Sequence, residues 1–135
     1  MDTFSNSVLD DIVSHFPLLQ NKHNHLADFL ELDIPSKNSS NFGGLIIKTT
    51  SDKDIWVRNY YKCSAYSVDT SDELIKIMEG VFRDDILWVI GFQEDEWIET
   101  TLKKRDVDIE MEKGVTYKVF SWSGNLDRTF KVDDI

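Results

Sequence analysis

Apolar residues near the N-terminus recur at the three- and four-residue spacing of an amphipathic helix. The first set comprises Val8, Leu9, Ile12, Val13 and Phe16. It predicts a helix over about residues 6–16, with Ser5 or Ser7 as the N-cap and Pro17 as the stop. A second set, Leu26, Phe29 and Leu30, has the same period and predicts a short second helix that ends before Pro35.

From Leu45 onward most apolar runs have the character of strands. Residues 45–47 and 55–57 flank a polar turn, which is typical of a hairpin. Residues 86–92 are nearly all apolar, as in a central strand, and a turn leads from them into residues 97–102. Residues 115–120 and 128–132 predict a further hairpin.

One helix interrupts the strands, and it has the clearest start signal in the chain. Thr70 and Glu73 match a capping box, with the hydroxyl at the N-cap and the carboxylate three residues later. An apolar face follows: Leu74, Ile77, Met78, Val81 and Phe82. Together these elements predict one α+β domain over residues 1–135, with a mainly antiparallel sheet of five to seven strands and about three helices, two of them N-terminal.

Residues 106–112 alternate between acidic and apolar side chains. In a strand, this alternation places Asp106, Asp108, Glu110 and Glu112 on one side, and these four residues are called the acidic stripe below. Val107, Ile109 and Met111 take the other side. Like charges about 7 Å apart repel each other, so such a face requires water or a basic partner.

The acidic charge is concentrated in one part of the chain, whose formal net charge is −10. Residues 69–112 hold 14 acidic residues against 5 basic ones, whereas residues 35–68 have a net charge of +3. Carboxylates in the acidic region would repel phosphates, so nucleic acid is not the expected partner. No run of apolar residues is long enough to span a membrane, and no basic segment precedes Lys22, so we expect a cytoplasmic protein.

The familiar catalytic motifs are absent from the sequence. There is no phosphate-binding glycine loop, nucleophile elbow or dinucleotide fingerprint. No acidic residue lies two positions before a lysine, as a restriction-type nuclease core requires. Cys63 is the single cysteine, and His23 and His25 would share a metal ion only in an extended segment. We therefore expect no catalytic residues, no metal site and no cofactor.

Two classes of residue remain as candidate binding groups. Several carboxylates have no evident duty as helix caps, and Trp97 and Trp122 are either core residues or exposed anchors at an interface. The candidate partner-binding residues are Glu94, Asp95, Glu96, Trp97, Glu99, Asp106, Asp108, Glu110, Glu112 and Trp122. The alternative is a small hydrolase or ligand-binding domain that uses buried carboxylates in a pocket between sheet and helices.

The chain resembles the immunity proteins of bacterial contact-dependent growth inhibition systems, a class of polymorphic toxin systems. The resemblance covers roughly residues 43–122 and centres on residues 86–93 (ILWVIGFQ) and 95–102 (DEWIETTL). It implies a cytoplasmic, non-enzymatic protein that binds and neutralises a cognate toxin domain such as a nuclease. Toxins of that kind have basic clefts, which an acidic surface complements. We expect such a protein to be a monomer when it is free.

Overall fold

Two helices and eight strands make up the described part of the chain. A computed structural model describes residues 1–22, 28–37 and 41–132. The helices are α1 (Thr3–His15) and α2 (Ser71–Phe82), and a single 3-10 turn follows α1 at Pro17–Leu19. The strands are β1 (Glu31–Pro35), β2 (Gly44–Thr49), β3 (Ile55–Asn59), β4 (Tyr66–Val68), β5 (Ile86–Gln93), β6 (Glu96–Lys104), β7 (Thr116–Phe120) and β8 (Arg128–Lys131).

The strands form two separate antiparallel sheets, so the prediction of one sheet with five to seven strands and three helices is wrong. The first sheet has the order β1-β2-β3-β4, and the second has the order β6-β5-β7-β8. Helix α2 is the connection between them, because it follows β4 and precedes β5. The α+β class and the antiparallel pairing are as predicted, and β5 is the central strand that its apolar sequence indicates.

A strand replaces the predicted second N-terminal helix. Strand β1 pairs with β2 in the register Glu31 with Lys48 through Pro35 with Gly44. Leu32 is buried and Ile34 half-buried, while Glu31 and Asp33 are exposed, which is the two-residue period of a strand. The helical spacing of Leu26, Phe29 and Leu30 indicated a helix, but Leu26 lies outside the described residues. Pro35 fits here because β1 is an edge strand, where a missing N–H is tolerated.

Helix α1 begins earlier than predicted because a different residue caps it. The Asp2 carboxylate accepts a hydrogen bond from the Ser5 amide at 2.8 Å. Bonding to Ser5 also lowers the pKa of the Asp2 carboxyl below its usual value. Ser5 is therefore not the cap: it is buried inside the helix and its hydroxyl bonds to Thr49 Oγ1 at 2.6 Å.

Thr70 caps helix α2 as predicted, whereas the reciprocal bond of the predicted capping box forms one residue earlier. The Glu73 amide donates to Thr70 Oγ1 at 3.2 Å, and the Glu73 carboxylate accepts from the Asp69 amide at 3.2 Å. Thr70→Ala removes the acceptor for an orphan helix N–H, so we expect the free energy of unfolding to fall by about 1 kcal/mol in urea denaturation. Thr70→Ser should keep most of the stability. An unchanged midpoint for Thr70→Ala would contradict the capping role.

One core joins both sheets and both helices. Leu32, Ile47 and Val57 of the first sheet share it with Trp88 of the second sheet and with apolar side chains of α1 and α2. Trp88 is fully buried, and its indole N–H donates to the Ser64 carbonyl at 2.7 Å. Because Ser64 belongs to the connection between β3 and β4, this bond ties the second sheet to the first.

The second sheet has an apolar cluster on each face. Residues directly opposite each other in antiparallel strands share a face, so the side chains of Trp88 and Phe120 point into the shared core. The opposite side is called the outer face below. It carries a smaller cluster of buried residues, comprising Leu87, Val89, Val115, Tyr117 and Val119. Ile109, from the segment with the acidic stripe, covers part of this face together with Leu126, Phe130 and Val132.

The hydroxyl of Tyr60, the residue that follows strand β3, has a raised pKa. It donates a hydrogen bond to the Asp33 carboxylate of β1. Partial burial, together with this bond and the nearby negative charge, raises the pKa of Tyr60 to about 12. The phenol is therefore protonated at neutral pH, and its contribution to stability is present below about pH 10 and lost as the pH rises toward 12.

Candidate partner-binding surface

The acidic stripe lies in a non-strand segment that runs across the outer face of the second sheet. Residues 105–115, called the crossing segment below, connect β6 to β7 and contain no strand. At one end the Arg105 amide donates to the Asp85 carbonyl at 2.9 Å, and at the other the Gly114 amide donates to the Val132 carbonyl at 2.8 Å. The prediction of a β-strand over residues 106–112 is therefore wrong.

The register of the sheet shows how far the crossing segment travels. Lys104 pairs with Ile86 at the start of β5, whereas Thr116 pairs with Phe92 near its end. The segment thus covers the length of β5, a distance of about 20 Å at the ordinary rise per residue. Its backbone cannot join the ladder there, because β5 is already paired with β6 on one side and β7 on the other.

Two contacts hold the crossing segment against the sheet. Ile109 is half-buried and packs on the outer-face cluster. The Glu112 amide donates to the hydroxyl of the fully buried Tyr117 at 2.9 Å. The other two apolar residues do not pack in this way, since Val107 is 50% exposed and Met111 is 59% exposed. The predicted alternation thus holds for Ile109 and fails for its two neighbours.

Tyr117→Phe should loosen the crossing segment at its far end. The substitution removes the acceptor of the Glu112 N–H and keeps the ring that fills the cluster, so we expect a loss of about 1 kcal/mol. The Glu112 amide should exchange with deuterium faster, whereas the Arg105 amide, bonded to Asp85, should be unaffected. Equal exchange of the Glu112 amide in both proteins would show that the bond does not hold the segment.

All four carboxylates of the acidic stripe are exposed. Within residues 1–22, 28–37 and 41–132, none of these side chains forms a hydrogen bond or an ion pair. Arg105 and Arg128 line the same groove as Asp106 and Asp108 and offset part of this charge without a direct ion pair in the described residues. A basic partner would find four unpaired carboxylates along one edge of the molecule.

The other predicted carboxylates form a turn near the end of the crossing segment. Glu94 and Asp95 both have positive φ, 51° and 68°, as in the tight turns that join hairpin strands, and with Glu96 they are exposed. A Cβ atom on Gly114 would lie 4.0 Å from Gln93 Nε2, so the crossing segment ends beside the residue that precedes this turn.

Glu99 connects these two groups of acids. A Cβ atom on Gly91 would lie 3.1 Å from Glu99 Cγ and 3.4 Å from Tyr117 Cε1, so the Glu99 stem crosses the outer face beside Tyr117. The fold thus distributes the predicted acids over one side of the second sheet. We call this side the acidic surface; its members are Glu94, Asp95, Glu96, Glu99, Asp106, Asp108, Glu110 and Glu112.

The two candidate tryptophans lie away from the acidic surface. Trp97 is 50% exposed, but it pairs with Phe92, whose side chain belongs to the shared core. Its indole N–H donates to Thr100 Oγ1 at 2.8 Å, which keeps the ring at the β6 edge. Trp122 is half-buried, with ring centroids 5.5 Å from Phe42 and 4.8 Å from Phe82, so it belongs to the core.

A groove of about 490 Å³ lies where the alternative function would place a pocket, between helix α2 and the second sheet. Its acids are Glu79, which is half-buried, and Asp85 and Asp106, which are exposed to solvent. Its bases are Lys76, Arg83, Lys104 and Arg105.

Searches of the described residues found no arrangement of three metal-binding side chains, and His23 and His25 lie outside those residues. Neither α1 nor α2 is both long enough and apolar enough to cross a bilayer. Comparison of the chain with protein-family models, with curated proteins and with solved structures gave no match.

Sequence reasoning missed the apolar part of this surface. Val107 and Met111 were placed on the side opposite the acids, and Phe130 was not singled out, yet all three line a groove together with Asp106 and Asp108 of the acidic stripe. The alternation of acids and apolar residues was visible in the sequence. Their exposure was not, because it depends on the path of residues 105–115 over the sheet.

Proposed function

We propose that this protein is a toxin-neutralising protein of the immunity type, which binds a cognate bacterial toxin domain in the cytoplasm through its acidic surface. The observation that carries the proposal is the set of exposed, unpaired carboxylates that the crossing segment holds against the outer face of the second sheet. The resemblance of residues 86–102 to immunity proteins supports the same function.

The chemistry of a nuclease toxin explains why carboxylates suit this role. An enzyme that cleaves RNA or DNA binds phosphates with lysine and arginine, so its cleft has a positive potential. A row of carboxylates can occupy that cleft in place of phosphates. Long-range attraction also accelerates the encounter between the two proteins, which matters for a protein that must capture a toxin before the toxin acts.

The firm attachment of the stripe also favours binding. Ile109 and the Tyr117 hydroxyl fix the middle and the end of the crossing segment before any partner arrives. A surface that is ordered in advance loses less conformational entropy on association. The backbone that carries Asp108 and Glu110 is therefore held in place on either side of Ile109.

Co-expression tests the proposal directly. The C-terminal domain encoded by the reading frame immediately upstream of this gene would be induced in a laboratory host, with and without this chain. We expect induction alone to arrest growth and co-expression to restore it, and we expect the two proteins to copurify. If the domain arrests growth equally in the presence of this folded chain, or if no toxic domain is encoded there, the proposed function is contradicted.

A further inference from the structure

A groove of about 720 Å³ lies between the crossing segment and strand β8. Its volume is within the range of sites that bind small ligands or side chains. The apolar lining comprises Val107, Ile109, Met111 and Phe130. The charged lining comprises Arg105, Asp106, Asp108 and Arg128. The groove thus has an apolar interior and lies directly beside the acidic stripe.

Two of its apolar side chains are only partly covered by the rest of the chain. Ile109 already anchors the segment to the outer-face cluster, whereas Val107 and Met111 are 50% and 59% exposed. Both flank Ile109 on the same loop and line the same groove, so they form one apolar patch. Contiguous exposed apolar surface bordered by charge is characteristic of interaction sites.

The charge around the patch selects its occupant. The lining itself is balanced, because Arg105 and Arg128 offset Asp106 and Asp108, and Arg128 lies over the Phe130 ring at 5.1 Å from its centroid. Glu110 and Glu112 then give the segment two further negative charges, one on each side of Met111. An apolar residue seated against Met111 would therefore lie beside these two carboxylates, and basic neighbours would meet them.

We propose that this groove binds a segment of the toxin domain in which one large apolar side chain is flanked on both sides by arginine or lysine. The inference rests on the proposed function and adds the anchor that the carboxylates alone lack. The apolar side chain enters between Met111 and Phe130, and the flanking cations pair with the acidic stripe. Burial of the apolar side chain then slows dissociation, while the charges accelerate association.

Two short peptides test the proposal without the toxin. The first is acetyl-Arg-Arg-Leu-Arg-Arg-amide, and the second has serine in place of leucine, with the same charge. Binding is followed by amide chemical shifts of the ¹⁵N-labelled chain. We expect the leucine peptide to shift residues 105–112 and 128–131 and to bind about fivefold more tightly than the serine peptide, because only leucine buries apolar surface.

Met111→Ser should reduce the affinity for the leucine peptide to that for the serine peptide. Because Met111 is 59% exposed, the variant is expected to fold normally. Leu18→Ser is the matched control, since Leu18 is 92% exposed at a site far along the chain from the groove, and this variant should bind both peptides as the original chain does.

Equal affinities for the two peptides would overturn the inference, as would shifts that map elsewhere or no effect of Met111→Ser. In those cases the carboxylates attract basic partners without an apolar side chain bound in the groove. The co-expression experiment then tests the proposed function independently. A mass of two chains by light scattering, abolished by Met111→Ser, would also overturn the inference, because a second copy would then be the occupant. If the chain binds the leucine peptide more tightly than the serine peptide but does not protect cells from the toxin domain, the proposed function is contradicted and the groove still binds as inferred.

Discussion

Reversing Asp108 and Glu110 to lysine should slow association with the cognate toxin domain by about tenfold or more at low ionic strength. Both carboxylates are exposed and unpaired in the described structure, so their charge contributes fully to the attraction of a basic cleft. The salt dependence of the association rate should also become shallower, since fewer charge pairs remain to be screened. Stopped-flow mixing at several salt concentrations measures both quantities.

A matched double variant separates local charge from net charge. Asp10→Lys with Asp52→Lys changes the formal net charge from −10 to −6, as does the double reversal in the acidic stripe. Asp10 and Asp52 are exposed residues of α1 and of the turn between β2 and β3, away from the second sheet. If both double variants slow association equally, only the total charge matters and the acidic surface is not the docking site.

Trp88→Ala should be the most destabilising single change discussed here, with a loss of about 3–5 kcal/mol in the free energy of unfolding. The indole is fully buried, its ring contacts Phe42 at a centroid distance of 5.5 Å, and its N–H bonds to Ser64. Removing it opens a cavity and leaves the Ser64 carbonyl without this donor. Urea denaturation followed by circular dichroism measures the change.

Trp97→Ala is the control for this substitution. Trp97 is 50% exposed at the edge of the same sheet, so its removal should cost less than about 1 kcal/mol. A small effect of Trp88→Ala, comparable to that of Trp97→Ala, would mean that the two sheets do not share a core through Trp88. That result would contradict the packing described above.

Elements with strong local signals could be predicted from the sequence. Strand β5 combines a long apolar run with a flanking turn, and a strand buried on both faces requires that composition. Helix α2 carries its own start signal in Thr70 and Glu73. In both cases the structure is determined by interactions and composition within a few consecutive residues.

Elements that form only by pairing with residues distant in the chain could not be predicted from the sequence. Leu30, Leu32 and Ile34 alternate, but the preceding residues suggested a helix, and only pairing with β2 selects the strand. The division into two sheets falls at helix α2, which lies between β4 and β5 along the chain. Nothing in the spacing of the strands indicates which edges remain unpaired.

The candidate surface was predicted in part. The exposure of Asp106, Asp108, Glu110 and Glu112 follows from composition, whereas the alternation that placed Val107 and Met111 on the opposite side does not hold. The path of the crossing segment could not be predicted, because it depends on a bond to Tyr117 and on the pairing of β5 with two neighbours. The same path exposes Val107 and Met111.

Hydrogen–deuterium exchange of the complex tests the acidic surface most directly as the binding site. The chain would be compared free and bound to the toxin domain that it protects against. We expect slower exchange on binding at residues 94–99 and 105–112, with little change in α1 or in the first sheet. Unchanged exchange at residues 105–112, with protection at residues 31–35 and 55–59 instead, would contradict the assignment of the acidic surface as the docking site.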